Sequence, residues 1–250
     1  MNQLFILTGA SRGMGFGMAT QLLQAGHTVI CISRQTNTNL TETARLHDAA
    51  LLQWPLDLTD AASVAARLSN WINELNPAQY ASISLINNAA VLTKIAPLSD
   101  VDSADIANSI RIGLEAPMQL TAAFLRATAA WAMPRKVLNI SSGLGSRPMA
   151  SQAAYCATKA GLDHFSRCVA LDEALKPNGA KICSLAPGVI ATDMQAQLRA
   201  ADPALFPDIA MFTGLYDNGI LATPTAAAAS VLAFLARADF GSKPVADIRD

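Results

Sequence analysis

A chain of 250 residues has the length of one ordinary domain, and a composition 52% hydrophobic and 15% charged supplies ample material for its core. The formal net charge of -1 offers no electrostatic footprint for nucleic acid or for an acidic membrane surface. Four scattered cysteines (Cys31, Cys156, Cys168, Cys183) without a CxxC pair, and three histidines (His27, His47, His164) without metal-ligand spacing, predict reduced thiols, no metal site and a cytoplasmic protein.

The first apolar run, LFIL at 4–7, begins almost at once with no basic segment ahead of it, a pattern unlike a signal peptide. Directly after this predicted strand stands TGASRGMG, Thr8 to Gly15, followed by a helix-like segment. In a strand-to-helix turn, glycines let the backbone approach a pyrophosphate, and the helix N-terminus supplies N–H groups and positive dipole. Gly9, Ser11, Arg12, Gly13, Met14 and Gly15 are therefore the expected cofactor turn, with GxxxGxG spacing instead of the commoner GxGxxG. The second predicted strand, 28–32, is followed by Ser33 and Arg34, where a carboxylate would suit free ribose hydroxyls. Two guanidinium groups, Arg12 and Arg34, suit a 2′-phosphate instead, which favours NADPH over NADH. The third strand, 50–56, runs into Asp57 and Leu58, and Asp57 is placed to accept from an adenine amino group.

Further along, predicted strands at 82–87, 136–141, 181–186 and 244–248 alternate with helical segments. The helical stretch from Ser103 to Trp131 contains the longest apolar run, but Arg126 interrupts it and Pro134 follows, so it is too short to span a bilayer. After the strand ending at Ser141 comes Ser142, and Tyr155 and Lys159 then lie one helical turn apart on one face. Residues 192–222 break the rhythm with Pro203, Pro207, Gly214 and Gly219, and this long irregular insertion is read as a substrate lid. Apolar runs separated by helices predict a single α/β domain whose parallel sheet is covered on both faces.

The ordered set TGASRGMG, LDL at 56–58, NNAA at 87–90, Ser142 thirteen residues before Tyr155, YCATK at 155–159 and PGVIATDM at 187–194 resembles the short-chain dehydrogenase/reductase family over nearly the whole chain. Within it, SLINNAAVL, AAYCATKAGLDHF, PGVIATDMQAQLR and VADIRD are most similar to the benzil reductase and sepiapterin reductase group. The resemblance implies a Rossmann-type doubly wound domain that binds NADPH/NADP+ and reduces carbonyls. A carbonyl accepting hydride develops alkoxide character and needs a proton. Tyrosine, with a free pKa of about 10, comes into range beside an ammonium and a nicotinium charge. The resemblance thus makes Tyr155 the general acid, with Ser142 orienting the carbonyl and Lys159 holding the ribose hydroxyls. It places Asn88 near the ribose and Ile190 and Thr192 at the carboxamide, with Ala89, Pro187 and Gly188 also against the cofactor. It also implies a homo-oligomer, dimer or tetramer, built on the long helices that begin near Ser103 and Gln152.

Two positions depart from the family pattern. Ala90 replaces a glycine, which matters where φ must be positive. Gly113, in GLEAPMQLT, stands where the family carries an asparagine that anchors a water relay to the lysine. Asn108 lies round the helix and Ser109 a turn away, so the expectation is that water fills the space and the relay survives weakened. The functional expectation is an NADPH-dependent carbonyl reductase for a small-molecule ketone or diketone. Its apolar pocket would draw on Leu144, Met149, Phe206, Met211, Phe212 and Tyr216. One alternative is a sepiapterin-type pterin reductase using Asp247. A second is a non-catalytic NADPH-binding sensor, motivated by Gly113.

Overall fold

Side chains alternate across a strand, so a wholly apolar run feeds two cores at once. In the computed structural model, which describes residues 2–250, Leu4 and Ile6 of β1 (Leu4–Thr8) enter one core, while Phe5 and Leu7 enter the other. The same division holds in β2 (Thr28–Ser33), where Ile30 and Ile32 oppose Val29 and Cys31. The remaining strands are β3 (Leu51–Pro55), β4 (Ile83–Asn87), β5 (Arg135–Ile140), β6 (Lys181–Ala186) and β7 (Val245–Asp247). Among the described residues they make one seven-stranded sheet in the order β3-β2-β1-β4-β5-β6-β7, with every pairing parallel. The strand order reverses between β1 and β4, and a crevice opens there beyond the carboxyl ends of the strands.

One face of the sheet carries α1 (Gly13–Gln24) and α9 (Pro224–Ala236). The other carries α3 (Ala61–Asn73), α5 (Ala116–Ala127) and α6 (Ala153–Ala174). The doubly wound architecture is therefore the expected one, and strand positions agree closely with the apolar runs. A helix the periodicity did not signal, α2 (Thr38–Leu46), buries only Leu40 and Ala44 and is capped by Asn37, whose Oδ1 accepts the Asn39 N–H at 2.9 Å. The segment from Ser103 is helical but not uniform. It comprises α4 (Ser103–Ile110), a π turn over Arg111–Glu115, and α5. Pro117 explains the wide turn, because it has no N–H for the Gly113 carbonyl and its ring crowds that carbonyl.

The excursion at 192–222 is more ordered than its prolines suggested. It holds α7 (Asp193–Arg199) and α8 (Ile209–Asp217), packed on a small core of Leu198, Phe206 and Phe212 with Leu92, Ile95 and Met149 against it. Its two ends are joined by a parallel bridge between Ile190 and Ala222, with Ala222 N–H on the Val189 carbonyl at 3.0 Å and Ala191 N–H on the Ala222 carbonyl at 2.9 Å. Among the described residues no helix is long and apolar enough to cross a membrane, and no acid, cysteine or histidine group is arranged for a metal ion.

Candidate active site

The first strand-to-helix turn is built for close approach. Gly9 has φ +69°, and a Cβ on Gly15 would collide with the Gly9 carbonyl oxygen. Neighbouring loops fix this turn through short polar links. Ser33 Oγ accepts the Ala10 N–H at 2.9 Å, and Asn37 Nδ2 donates to the Ser11 carbonyl at 2.9 Å. Thr8 Oγ1 accepts the N–H groups of Asn88 and Ala89 at 2.9 and 3.0 Å. Asn88 Nδ2 returns to the carbonyls of Thr8 and Gly9 at 3.0 and 3.2 Å, which leaves its Oδ1 for a ligand. The first turn of α1 contains no acidic residue, so its N–H groups and dipole are open to an anion.

A cleft of about 1690 Å³ runs along the carboxyl ends of the strands. Gly9, Ser11, Arg12, Gly13, Met14 and Gly15 form its floor at one end. Ser33 and Arg34 follow β2, and Asp57 and Leu58 follow β3. Asn88 and Ala89 follow β4, while Pro187, Gly188, Ile190 and Thr192 follow β6. A phosphate-bearing dinucleotide fits this lining, with glycine clearance and helix N–H groups at one end and cations at the adenine end. Arg34 is exposed and joins no ion pair among the described residues, whereas Arg12 is paired across the cleft with Asp193. Asp57 accepts the Thr59 N–H at 2.9 Å, and that bond, more than the charge of Arg34, holds its carboxyl below the usual range.

At the cleft's other end α6 presents Tyr155 and Lys159, both buried. Lys159 Nζ donates to the Ile140 carbonyl at 2.7 Å and lies 5.7 Å from the Tyr155 ring centroid. Burial lowers the Lys159 pKa to about 8, against the opposing charge of Asp163. Burial likewise raises Tyr155 to about 12, while the neighbouring Ser142 hydroxyl pulls the other way. Ser142 Oγ accepts the Leu144 N–H at 3.2 Å, so its own proton is available to a second partner. The arrangement thus holds a neutral phenol, a hydroxyl donor and a titratable ammonium around one corner of the cleft.

The profile of the short chain dehydrogenase family matches residues 3–203. The chain belongs to that family. It is 37% identical over 235 residues to the benzil reductase ((S)-benzoin forming) of Bacillus cereus, with 94% of each chain covered. Among solved structures, a short-chain dehydrogenase/reductase from Burkholderia vietnamiensis is 33% identical, with both chains fully covered (100%) and a TM-score of 0.66. A Beutenbergia cavernae dehydrogenase solved with bound NADP at low occupancy is 25% identical, covers 98% of this chain and 94% of its own, and has a TM-score of 0.79.

For a short chain dehydrogenase the two departures read differently once the packing is visible. Ala90 takes no positive φ, because among the described residues only Asp48 and Ser151 do so without being glycine, and its Cβ is accommodated. At Gly113 the expected water has no room. A Cβ there would lie 2.5 Å from Thr158 Cγ2, and Thr158 Oγ1 is fixed to the Ala154 carbonyl at 2.8 Å. The threonine methyl crowds the place where an asparagine Cβ would stand, so at that point there is no gap for the expected water. Buried Ser109 Oγ finds no partner either.

The expected apolar pocket is also redrawn. Leu144, Met211 and Phe212 line the cleft, and Leu215 and Ile220 join them. Phe206 is fully buried in the excursion's own core, where Met149 also packs. Tyr216 is 57% exposed and turns outward, 4.2 Å under the Arg199 guanidinium. Asp247 reaches the cleft but is already gripped by Arg249 at 2.7 and 2.6 Å. The sequence reading missed Gln152, a buried cleft residue whose Oε1 has no partner. Its spacing of one helical turn before Tyr155 was the available signal.

Proposed function

We propose that this protein is an NADPH-dependent carbonyl reductase acting on a ketone or diketone with apolar substituents. The observation that carries the reading is the grouping of buried Tyr155 and Lys159 with partly buried Ser142 at the end of a cleft suited to a dinucleotide. When bound, the nicotinamide dinucleotide supplies the hydride. Tyr155 gives its phenolic proton to the carbonyl oxygen, and Ser142 donates a hydrogen bond that fixes the oxygen's position. Lys159 favours the tyrosinate left behind by its charge and holds the ribose hydroxyls. Pro187, Gly188, Ile190 and Thr192 support the carboxamide, while Asn88 and Ala89 support the ribose. The excursion at 192–222 acts as the lid, its Met211, Phe212, Leu215 and Ile220 excluding water from the substrate. The protein acts in the cytoplasm as a homo-oligomer.

NADPH is the favoured cofactor because Arg34 faces the cleft without a carboxylate partner and Arg12 can exchange Asp193 for a phosphate. Arg34→Glu is expected to weaken NADPH binding by about tenfold, the value of one charge-assisted hydrogen bond, and to leave NADH binding unchanged or improved. Initial rates with each cofactor measure this, and an unchanged NADPH KM would refute the assignment.

Turnover should also depend on pH in one direction. Lys159 loses its charge as pH rises through about 8, whereas Tyr155, near 12, stays a phenol throughout. Reduction is therefore expected to be flat below that pH and to fall above it. A rate rising through pH 9 would contradict the role given to Lys159.

The defining experiment follows NADPH and NADH oxidation with benzil, sepiapterin and simple aldehydes. Preference for benzil supports this reading. Preference for sepiapterin would favour the pterin alternative, which Asp247 in the cleft wall keeps in view despite its pairing with Arg249. NADPH binding without turnover on any carbonyl would favour the sensor reading.

A further inference from the structure

One buried acid is left unused by this mechanism. Asp163 lies on α6 one turn beyond Lys159 and is 6% exposed. Its Oδ1 accepts the Ser184 hydroxyl of β6 at 2.7 Å. Its Oδ2 occupies the space beside Gly145, where any Cβ would collide with that oxygen and come within 3.2 Å of Ser141 Oγ. Gly145 belongs to the short turn that Ser142 caps, so the carboxylate is packed directly beneath that turn. Beside it opens a second cavity of about 220 Å³, lined in part by Ser141, Asp163, Arg167, Asp247 and Asp250. The Ser141 hydroxyl there is buried and has no partner.

We propose that Asp163 is a positioning residue for the reduction, a buried carboxylate that keeps the Lys159 ammonium charged and braces the Ser142 turn against the sheet. The inference rests on the role given above to Tyr155 and Lys159. A lysine buried this deeply, with a carbonyl oxygen as its hydrogen-bond partner, tends to shed its proton unless an opposite charge stands close. Asp163, buried one helical turn further along α6, supplies that charge without a direct ion pair among the described residues, and its effect on Lys159 opposes desolvation. The same negative charge reaches Cys183 on β6, whose thiol is pushed up to about 12 by burial first and by Asp163 second. Of the other ionisable groups around the pair, Tyr155 and the exposed Arg167 lie on α6, and Asp247 and Asp250 lie across the cavity. Asp247 is neutralised by Arg249, which leaves Asp163 as the carboxylate set closest along α6 to the lysine.

The test is the pH profile of kcat for Asp163→Asn, which keeps the shape and removes the charge. The alkaline limb is expected to move down by about one pH unit, so that turnover at pH 8 falls about fivefold while turnover at pH 6 stays near that of the parent protein. A uniform loss at all pH values, or no loss, with the limb unmoved would overturn the proposal, because a purely structural role cannot move the limb. If Asp163→Asn does not fold, Ser184→Ala serves, since it frees the carboxylate to turn away. It is expected to give a smaller shift of the same sign, and an unmoved limb there overturns the proposal equally. Tyr155→Phe, assayed alongside, separates the two failures. If that variant stays active, the reading of the site fails; if it is dead and the limb does not move, only the inference about Asp163 fails.

Discussion

Tyr155→Phe is expected to bind NADPH as the parent protein does and to turn over about a thousandfold more slowly, a loss of about 4 kcal/mol in transition-state stabilisation. The substitution removes one oxygen and leaves the ring, so the packing of a residue 7% exposed is kept. What disappears is the phenolic proton beside the Ser142 hydroxyl. Ser142 can still orient a carbonyl, but its hydroxyl is a much weaker acid than a phenol. Lys159 lies 5.7 Å from the ring centroid and is turned toward the Ile140 carbonyl. Fluorescence titration with NADPH, paired with single-turnover rates on benzil, separates binding from chemistry. Turnover within about tenfold of the parent protein would remove Tyr155 from the mechanism.

The second large effect is at Gly113. Gly113→Asn, which would restore the family's usual residue, is expected to destabilise the protein by about 2–3 kcal/mol and to lower turnover. An asparagine there meets the Thr158 methyl at 2.5 Å from its own Cβ, inside a contact that neither helix can easily release. Overpacking of this kind costs about 1–3 kcal/mol, more than the few tenths gained in helix propensity over glycine. In a chain of this size such a loss lowers the melting temperature by roughly 5–10 °C. Turnover falls with it because Thr158 immediately precedes Lys159. The check is a double-mutant cycle with Thr158→Ser, which removes the methyl and keeps the hydroxyl's bond to Ala154. Gly113→Ala alone should be destabilised, and Gly113→Ala with Thr158→Ser should recover most of the loss. Equal stability of Gly113→Ala and the parent protein would show that the contact yields freely.

What could be read beforehand divides along physical lines. The central strands β1, β2 and β4 were legible because they are buried on both faces and almost wholly apolar, whereas the edge strands β3 and β7 are more exposed and rest on shorter apolar runs. Tyr155 and Lys159 were legible because one helical turn puts them on one face, whatever surrounds them. Gly113 was not, since its significance depends on Thr158, far along the chain and adjacent only after folding. The same is true of the way Asn88 laces two loops together through its Nδ2, a tie that exists only once β1 and β4 lie side by side. In the excursion, the apolar character of Phe206, Met211, Phe212 and Tyr216 was plain but their directions were not. The phase of α8 sends Met211 and Phe212 to the cleft and Tyr216 to the surface, and that phase depends on where the helix starts. α2 escaped notice because two buried residues make too short a stripe to register as a period.

The bridge between Ile190 and Ala222 gives the molecule a modular economy. The chain leaves and re-enters the main body through one doorway, so the segment beyond it can lengthen, shorten or change its side chains with little cost in loop closure. The glycine floor, the phenol and the lysine all lie on the near side of that doorway. With the segment as the proposed lid, its replacement would be a change of cassette: the glycine turn, Tyr155 and Lys159 stay in place while the surface that greets the substrate is exchanged.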